Sequence, residues 1–431
     1  MKNKRIIIAL LAIILAPLRL PSQQEVVLRI SEGMPMISVA VPKIILQSQT
    51  QLAKDAAAEI HSVLLADLKY SRIFQPLPED YYGYVRPLNP EKIIFKDWDS
   101  VQAKLLFVGE VRENGGVVGF DGKIYDVRSE RFIMGKRYQA AKADLRLAAH
   151  RIADEFMKLY GEKPIFTTRI TFVSNRDGND EIYMMDYDGA NQTRITFNKI
   201  KDYMPAWSPD QRNVVFTSYR KGNADLYIRN IYEGKERLVS TKGTSYSGAF
   251  SPDGKKLAFC STASEDGNAE IYVMDLAANR TKRLTFNPAT DTAPSWSPTG
   301  REIAFTSDRT GAGAPQIFIM DAEGANIRKI SFGGNYHDAP AWSPWGDQLV
   351  FVSRVDKIFD LYLLNIRTNQ ASKLTESNAL NESPSWSPDG RHIVFSSSMS
   401  GSLQLYTIDY DARNLRRLTS LGQNKLPNWT N

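Results

Sequence analysis

Pro294-Ser295-Trp296-Ser297-Pro298-Thr299-Gly300-Arg301-Glu302-Ile303-Ala304-Phe305-Thr306-Ser307-Asp308-Arg309, continued by Gln316-Ile317-Phe318-Ile319-Met320-Asp321 and Arg328-Lys329-Ile330, decides the fold. Variants of this cassette run from Ile165 to the end of the chain. Its anchor aromatics are Trp207, Phe250, Trp296, Trp342, Trp386 and Trp429, at intervals of 43, 46, 46, 44 and 43 residues. A fixed period of that size means units stacked in a row or set around an axis. Within a unit, an inner strand carries the aromatic. A Ser-Pro-Asp-Gly turn or a relative follows, in which Pro presets φ and Gly supplies the left-handed position. A buried second strand comes next (Val214–Ser218, Ile303–Ser307), then a third (Asp225–Ile228, Glu270–Asp275). A short charged fourth (Arg194-Ile195-Thr196, Arg283-Leu284-Thr285, Lys373-Leu374-Thr375) suits an exposed edge.

Four antiparallel strands in about 44 residues are the signature of a propeller blade. Six second strands can be counted, beginning near Ile170, Val214, Leu257, Ile303, Leu349 and Ile393. The first unit has no aromatic inner strand, whereas the chain ends on an orphan one, Leu426-Pro427-Asn428-Trp429. The tail is therefore expected to complete blade one and close a six-bladed ring. The tryptophans read as packing between blades rather than as a carbohydrate platform. Asp177-Gly178-Asn179 and Asp266-Gly267-Asn268 read as turns, because neither spells a full calcium loop.

Upstream the pattern changes. Val26, Leu28 and Ile30 alternate like a strand, and Ile37–Val41 reads as a second. Thr50 to Leu68 repeats apolar residues at helical spacing, and Pro76 and Pro78 stop its continuation. Strands are expected over Lys104–Val111, Val117–Val127 and Arg131–Gln139, and a closing amphipathic helix over Asp144–Tyr160. Lys2, Lys4 and Arg5 followed by an apolar run from Ile6 to Leu18 read as an export leader, too short for a bilayer span. The expected organisation is a signal peptide at 1–22, an α/β N-terminal domain at 23–162, and an all-β six-bladed β-propeller at 165–431 closed by the C-terminal strand. After leader removal no membrane insertion is expected, and the mature chain is placed outside the cytoplasm.

The leader supplies four of the formal +6 charges, so the remainder argues for no nucleic-acid partner. Cys260 is the only cysteine and sits in a strand pattern, as an inert core thiol would. No nucleophile elbow, zinc-helix motif or phosphate loop is present, so neither an enzymatic site nor a cofactor or metal is expected. His61, His150 and His392 read as structural residues. Polar pairs just before each aromatic should ring the channel mouth: Asp202-Tyr203, Ser245-Tyr246, Asp291-Thr292, His337-Asp338, Asn381-Glu382 and Asn424-Lys425. Such a concave polar rim is where a propeller takes a partner.

Leader, small α/β domain and units such as Pro-Ser-Trp-Ser-Pro-Asp-Gly-Arg and Gln-Ile-Phe-Ile-Met-Asp-Ala-Glu-Gly-Ala-Asn, taken in this order, resemble the TolB family of the Tol-Pal envelope system. The resemblance covers nearly the whole chain. It implies a monomeric, non-enzymatic periplasmic scaffold, serving outer-membrane integrity, cell division and protein import. It also implies that the peptidoglycan-associated lipoprotein Pal docks at the funnel. The family's contact positions fall on Thr244, Ser247 and Thr292, joined on the rim by Tyr203, Asp291, His337, Asp338, Asn381 and Glu382. The inner-membrane protein TolA would be met by an N-terminal segment containing Glu25, Val26, Leu28 and Ile30. Pal docking and ordering of that segment would then be linked by competition. Two other readings stay open: a propeller that binds glycan or peptidoglycan, and an accessory propeller of a hydrolase.

Overall fold

The computed structural model describes residues 36–239, 242–311, 314–334, 336–355 and 357–430. The leader and the segment with Glu25, Val26, Leu28 and Ile30 lie outside these residues. The N-terminal region runs β1 (Ile37–Ala40), β2 (Ile45–Leu46), α1 (Gln51–Tyr70), β3 (Phe74–Pro76), α2 (Phe95–Ser100), β4 (Leu105–Asn114), β5 (Val117–Asp126), β6 (Arg131–Ala140) and α3 (Leu145–Leu159). β4, β5 and β6 form an antiparallel meander, while β1 lies parallel between β3 and β4 and β2 runs parallel to β4. The first turn of the meander needs φ of 60° at Gly115 and 82° at Gly116, a conformation that suits glycine. Thr50 starts α1 by accepting from the Ala53 amide at 3.2 Å. The helix ends at Tyr70, where Ser71 caps it and Arg72 turns left-handed at φ 60°, well before Pro76. That proline, expected to stop the helix, instead ends the parallel strand β3, which the sequence pattern does not reveal. At a sheet edge its missing N–H costs nothing.

Past the connector, the described residues form six four-stranded sheets. In the first, Asn424–Trp429 pairs with Arg169–Ser174, which leads to Glu181–Asp186 and Thr193–Arg194. The last strand of the chain thus supplies the inner strand of blade one, as expected from the orphan tryptophan. Each ring of Trp207, Trp296, Trp342, Trp386 and Trp429 is buried. Trp207, for example, packs on Val173, Ile182 and Ile195 of blade one as well as on its own blade. At roughly 25 cal/mol per Å2, a buried indole of about 200 Å2 contributes on the order of 5 kcal/mol. The tryptophans are wedges between blades.

The Arg-Leu-Thr triplets are not merely an exposed edge. The outer strand ends at the arginine, the apolar residue after it is core, and the threonine is buried. Thr196 accepts from the Ile182 amide at 2.8 Å and donates to Glu181 at 2.6 Å; Arg194 closes on the same carboxylate at 2.7 Å. Blade three repeats this with Thr285, Glu270 and Arg283, and blade five with Thr375, Asp360 and Lys373. These buried acids are tied to both a hydroxyl and a cation, which is what allows them inside.

The N-terminal region is fastened to the turns joining third and outer strands in blades one and six. Arg72 reaches Asp409 at 2.7 Å and Asp411 at 2.8 Å, and Tyr70 stacks on His392 at 4.0 Å. Arg391 pairs with Glu162 at 2.8 Å. One apolar cluster continues from α1 and α3 through Phe166 and Tyr187 to Leu418 and Trp429. His392 is structural, but as an interface residue. Cys260 is fully buried and its thiol is pushed well up by burial.

Candidate functional site

Every inner strand breaks register between its second and fifth residues, as in Tyr203↔Thr217 followed by Ala206↔Val215. The third residue is left-handed in all six: φ is 51° at Met204, 55° at Ser247, 50° at Ala293, 52° at Ala339, 55° at Ser383 and 53° at Leu426. None is a glycine, so each stores on the order of 1 kcal/mol of strain. Such a bulge re-aims side chains.

The first residue of each strand, Asp202, Ser245, Asp291, His337, Asn381 or Asn424, is buried. Asp202 accepts from Asn198 at 2.7 Å; Asp291 accepts from Asn287 and Arg309, both at 2.8 Å. Asn381 donates to Ser377 and Asp360, and His337 abuts the Gly333 carbonyl. Asp291, His337 and Asn381, expected on the rim, therefore belong to the fastening of the ring. The reason is the alternation of the strand: its first residue points between blades and its second does not.

The second residues, Tyr203, Tyr246, Thr292, Asp338, Glu382 and Lys425, are half-buried. Of these, Tyr246, Thr292 and Asp338 line a cavity of about 670 Å3 on the ring axis, together with the third residues Met204, Ser247, Ala293, Ala339, Ser383 and Leu426. Thr244 stands just outside, its amide and carbonyl bonded to Thr262 at 2.9 Å each. Met204, Ala293, Ala339, Ser383 and Leu426 escaped the sequence reading because only the bulge turns them inward. The recurring Pro or Gly directly after each was the available signal. Lys163 of the interdomain connector lines the same cavity, as do Pro209, Pro252, Pro298 and Pro344 of the turns at the far end. The N-terminal region occupies the far side, and the mouth with Thr292 and Asp338 faces away from it.

Charge is unevenly set around this mouth. Asp338 accepts from Tyr336 and Thr306 at 2.9 Å each, and Glu382 stands beside it in the next blade. Burial raises the pKa of Glu382; Lys425 opposes the rise and Asp338 adds to it. Asp180 gathers the Tyr203 hydroxyl at 2.6 Å and Lys425 at 3.4 Å. The opposite arc carries Tyr203 and Tyr246, with Tyr219 edge-on to Tyr203 at 6.2 Å. A mouth with an acidic arc facing an aromatic one can hold a polypeptide through both polar and apolar contacts.

Comparison with known proteins bears on this geometry. The family described as TolB beta propeller domain matches residues 156–431, and the TolB amino-terminal domain matches residues 26–133. A protein named Tol-Pal system protein TolB from Desulfosudis oleivorans is 34% identical over 289 residues, 65% of this chain and 65% of that relative. A Protein TolB homolog from Chlorobium chlorochromatii is 36% identical over 194 residues, 45% of this chain and 43% of its own length. These matches span less than two thirds of the relatives. The crystal structure of TolB from Acinetobacter baumannii superposes with a TM-score of 0.75 at 23% identity, covering 92% of this chain and 97% of that one. That likeness extends to the fold.

Proposed function

Because the chain belongs to the TolB family, we propose that it is a non-enzymatic periplasmic scaffold of the Tol-Pal system, receiving Pal in the open mouth of its propeller. The observation that carries this reading is the mouth itself: a half-buried polar ring at one end of the cavity, with the N-terminal region confined to the other end. Thr292, Asp338, Glu382, Tyr203 and Ser247 are the side chains offered to the partner. Asp291, His337 and Asn381 hold the ring behind them. TolA is assigned to the segment with Glu25, Val26, Leu28 and Ile30. Envelope integrity and cell division are the processes such a scaffold supports. No helix among the described residues is long and apolar enough to cross a membrane.

A pull-down from envelope extracts tests the reading, with Thr292→Arg as control. Wild type should retain Pal and the variant should lose it. Retention of a hydrolase instead, or micromolar binding of muropeptides that Thr292→Arg abolishes, would replace the scaffold reading by one of its two alternatives.

A further inference from the structure

Two turns of the propeller carry the same sequence pattern and both meet the N-terminal region. In blade six, Asp409-Tyr410-Asp411 receives Arg72, whose guanidinium bridges the two carboxylates at 2.7 and 2.8 Å. In blade one the equivalent turn is Asp186-Tyr187-Asp188. The two turns correspond atom for atom in one respect: Asn191 donates to Asp186 and Asn414 donates to Asp409, each at 2.6 Å. α3 brings two side chains to Asp186-Tyr187-Asp188: Arg146, which pairs with the Asp188 carboxylate, and His150. A ring nitrogen of His150 and one oxygen each from Asp186 and Asp188 lie within 4.8 Å of one another.

The imidazole is oriented as a ligand would be. Its Nδ1 lies 2.8 Å from Asp67, which also accepts from the Tyr187 hydroxyl at 2.5 Å. A carboxylate only accepts, so Nδ1 carries a hydrogen; in the neutral imidazole Nε2 then presents a lone pair, and a metal ion would take the place of a second proton there. His150 is 1% exposed, and its Nε2 has no hydrogen-bond partner. A buried nitrogen in that condition is costly unless something binds it. Carboxylate–histidine pairing of this kind is the arrangement that fixes the tautomer of metal-bound histidines. Three carboxylates, Asp67, Asp186 and Asp188, surround the imidazole; Arg146 pairs with the Asp188 carboxylate and Arg416 donates to the Asp188 carbonyl at 3.0 Å.

We propose that His150, Asp186 and Asp188 form a divalent transition-metal site, with Zn2+ as the matching ion, that clips α3 to blade one. One imidazole and two carboxylates form a mixed nitrogen and oxygen set with room for water as a fourth ligand. Bonds of about 2.1 Å require the three atoms to draw closer, which rotation of the half-buried Asp186 and Asp188 side chains supplies. Imidazole selects against Mg2+ and Ca2+, which take oxygen ligands. Asp67 acts as a positioning residue.

The test is calorimetric titration of the EDTA-stripped full chain with ZnCl2, beside His150→Gln, Asp186→Asn and Asp67→Asn. Wild type should take up one Zn2+ and melt at a higher temperature with it. Asp67→Asn should weaken uptake about 10- to 100-fold, and loss of either ligand should weaken it more. Asp186→Asn decides the matter if His150→Gln does not fold, because Asp186 lies at the propeller surface and the change is isosteric. No uptake by wild type, or uptake undiminished in Asp186→Asn, overturns the site.

Discussion

Asp202 shows how one side chain records the cost of closing the ring. It is fully buried beside Asn198, with Arg220 only at 3.8 Å, and burial pushes its pKa up to about 6. Since the folded value exceeds the unfolded one, the native state binds the proton more tightly. Its contribution to stability is therefore present below about pH 4 and is lost as pH rises to about 6. A shift of this size corresponds to about 3 kcal/mol. Urea melts should show Asp202→Asn gaining on wild type by up to that amount between pH 4 and pH 7. A gain in the opposite direction would mean that the carboxylate is stabilised as an anion. A second prediction concerns backbone rather than charge. Four of the Ser-Pro turns place glycine at the left-handed position, including Gly300 at φ 68°, but blade two has Gln211 there at φ 57°. Gln211→Gly should stabilise the chain by about 0.5–1 kcal/mol in the same assay.

Among the elements, the terminal strand Asn424–Trp429 matters most, because it ties the last residues of the propeller into the same sheet as its first strand. Trp429 is 1% exposed and its Nε1 donates to Thr168 at 2.8 Å, whereas Phe250 occupies the equivalent place in blade three and is half-buried. Trp429→Ala should cost about 3–5 kcal/mol in chemical denaturation, and Phe250→Ala clearly less. Equal losses would indicate that closure adds nothing to ordinary core packing. This strand was legible in the sequence: a repeat lacking its first member and carrying an extra last one leaves little choice of topology. β2, β3 and α2 were not legible, since two to six residues hold too few periods to show a pattern. The rim was legible only in part. Spacing before the tryptophan located the inner strands, but the bulge at Met204, Ser247, Ala293, Ala339, Ser383 and Leu426 decides which residues meet the channel. That conformation leaves no mark in hydrophobic alternation.

Across the whole molecule, the contact between N-terminal region and propeller constrains how a signal could pass. A loose hinge would permit docking at the mouth to reorient the two parts at little cost. The structure has instead a shared apolar cluster and Arg72 set between Asp409 and Asp411. Arg72 is half-buried and its two carboxylates keep other partners, so removing it costs on the order of 1–2 kcal/mol. Arg72→Ala should therefore split a single thermal transition into two as the regions uncouple, and a melt that stays single would show the ion pair to be incidental. Linkage between Pal and TolA, if they bind as proposed, has to work through strain in the inner strands or through the contacts of blades one and six. The most direct test of the account is calorimetric titration of purified Pal into the wild-type chain and into Thr292→Arg. The account predicts one Pal per chain for wild type and at least a hundredfold weaker binding for the variant, about 2.7 kcal/mol, at an unchanged melting temperature. Equal affinity for both would place the partner somewhere other than the mouth.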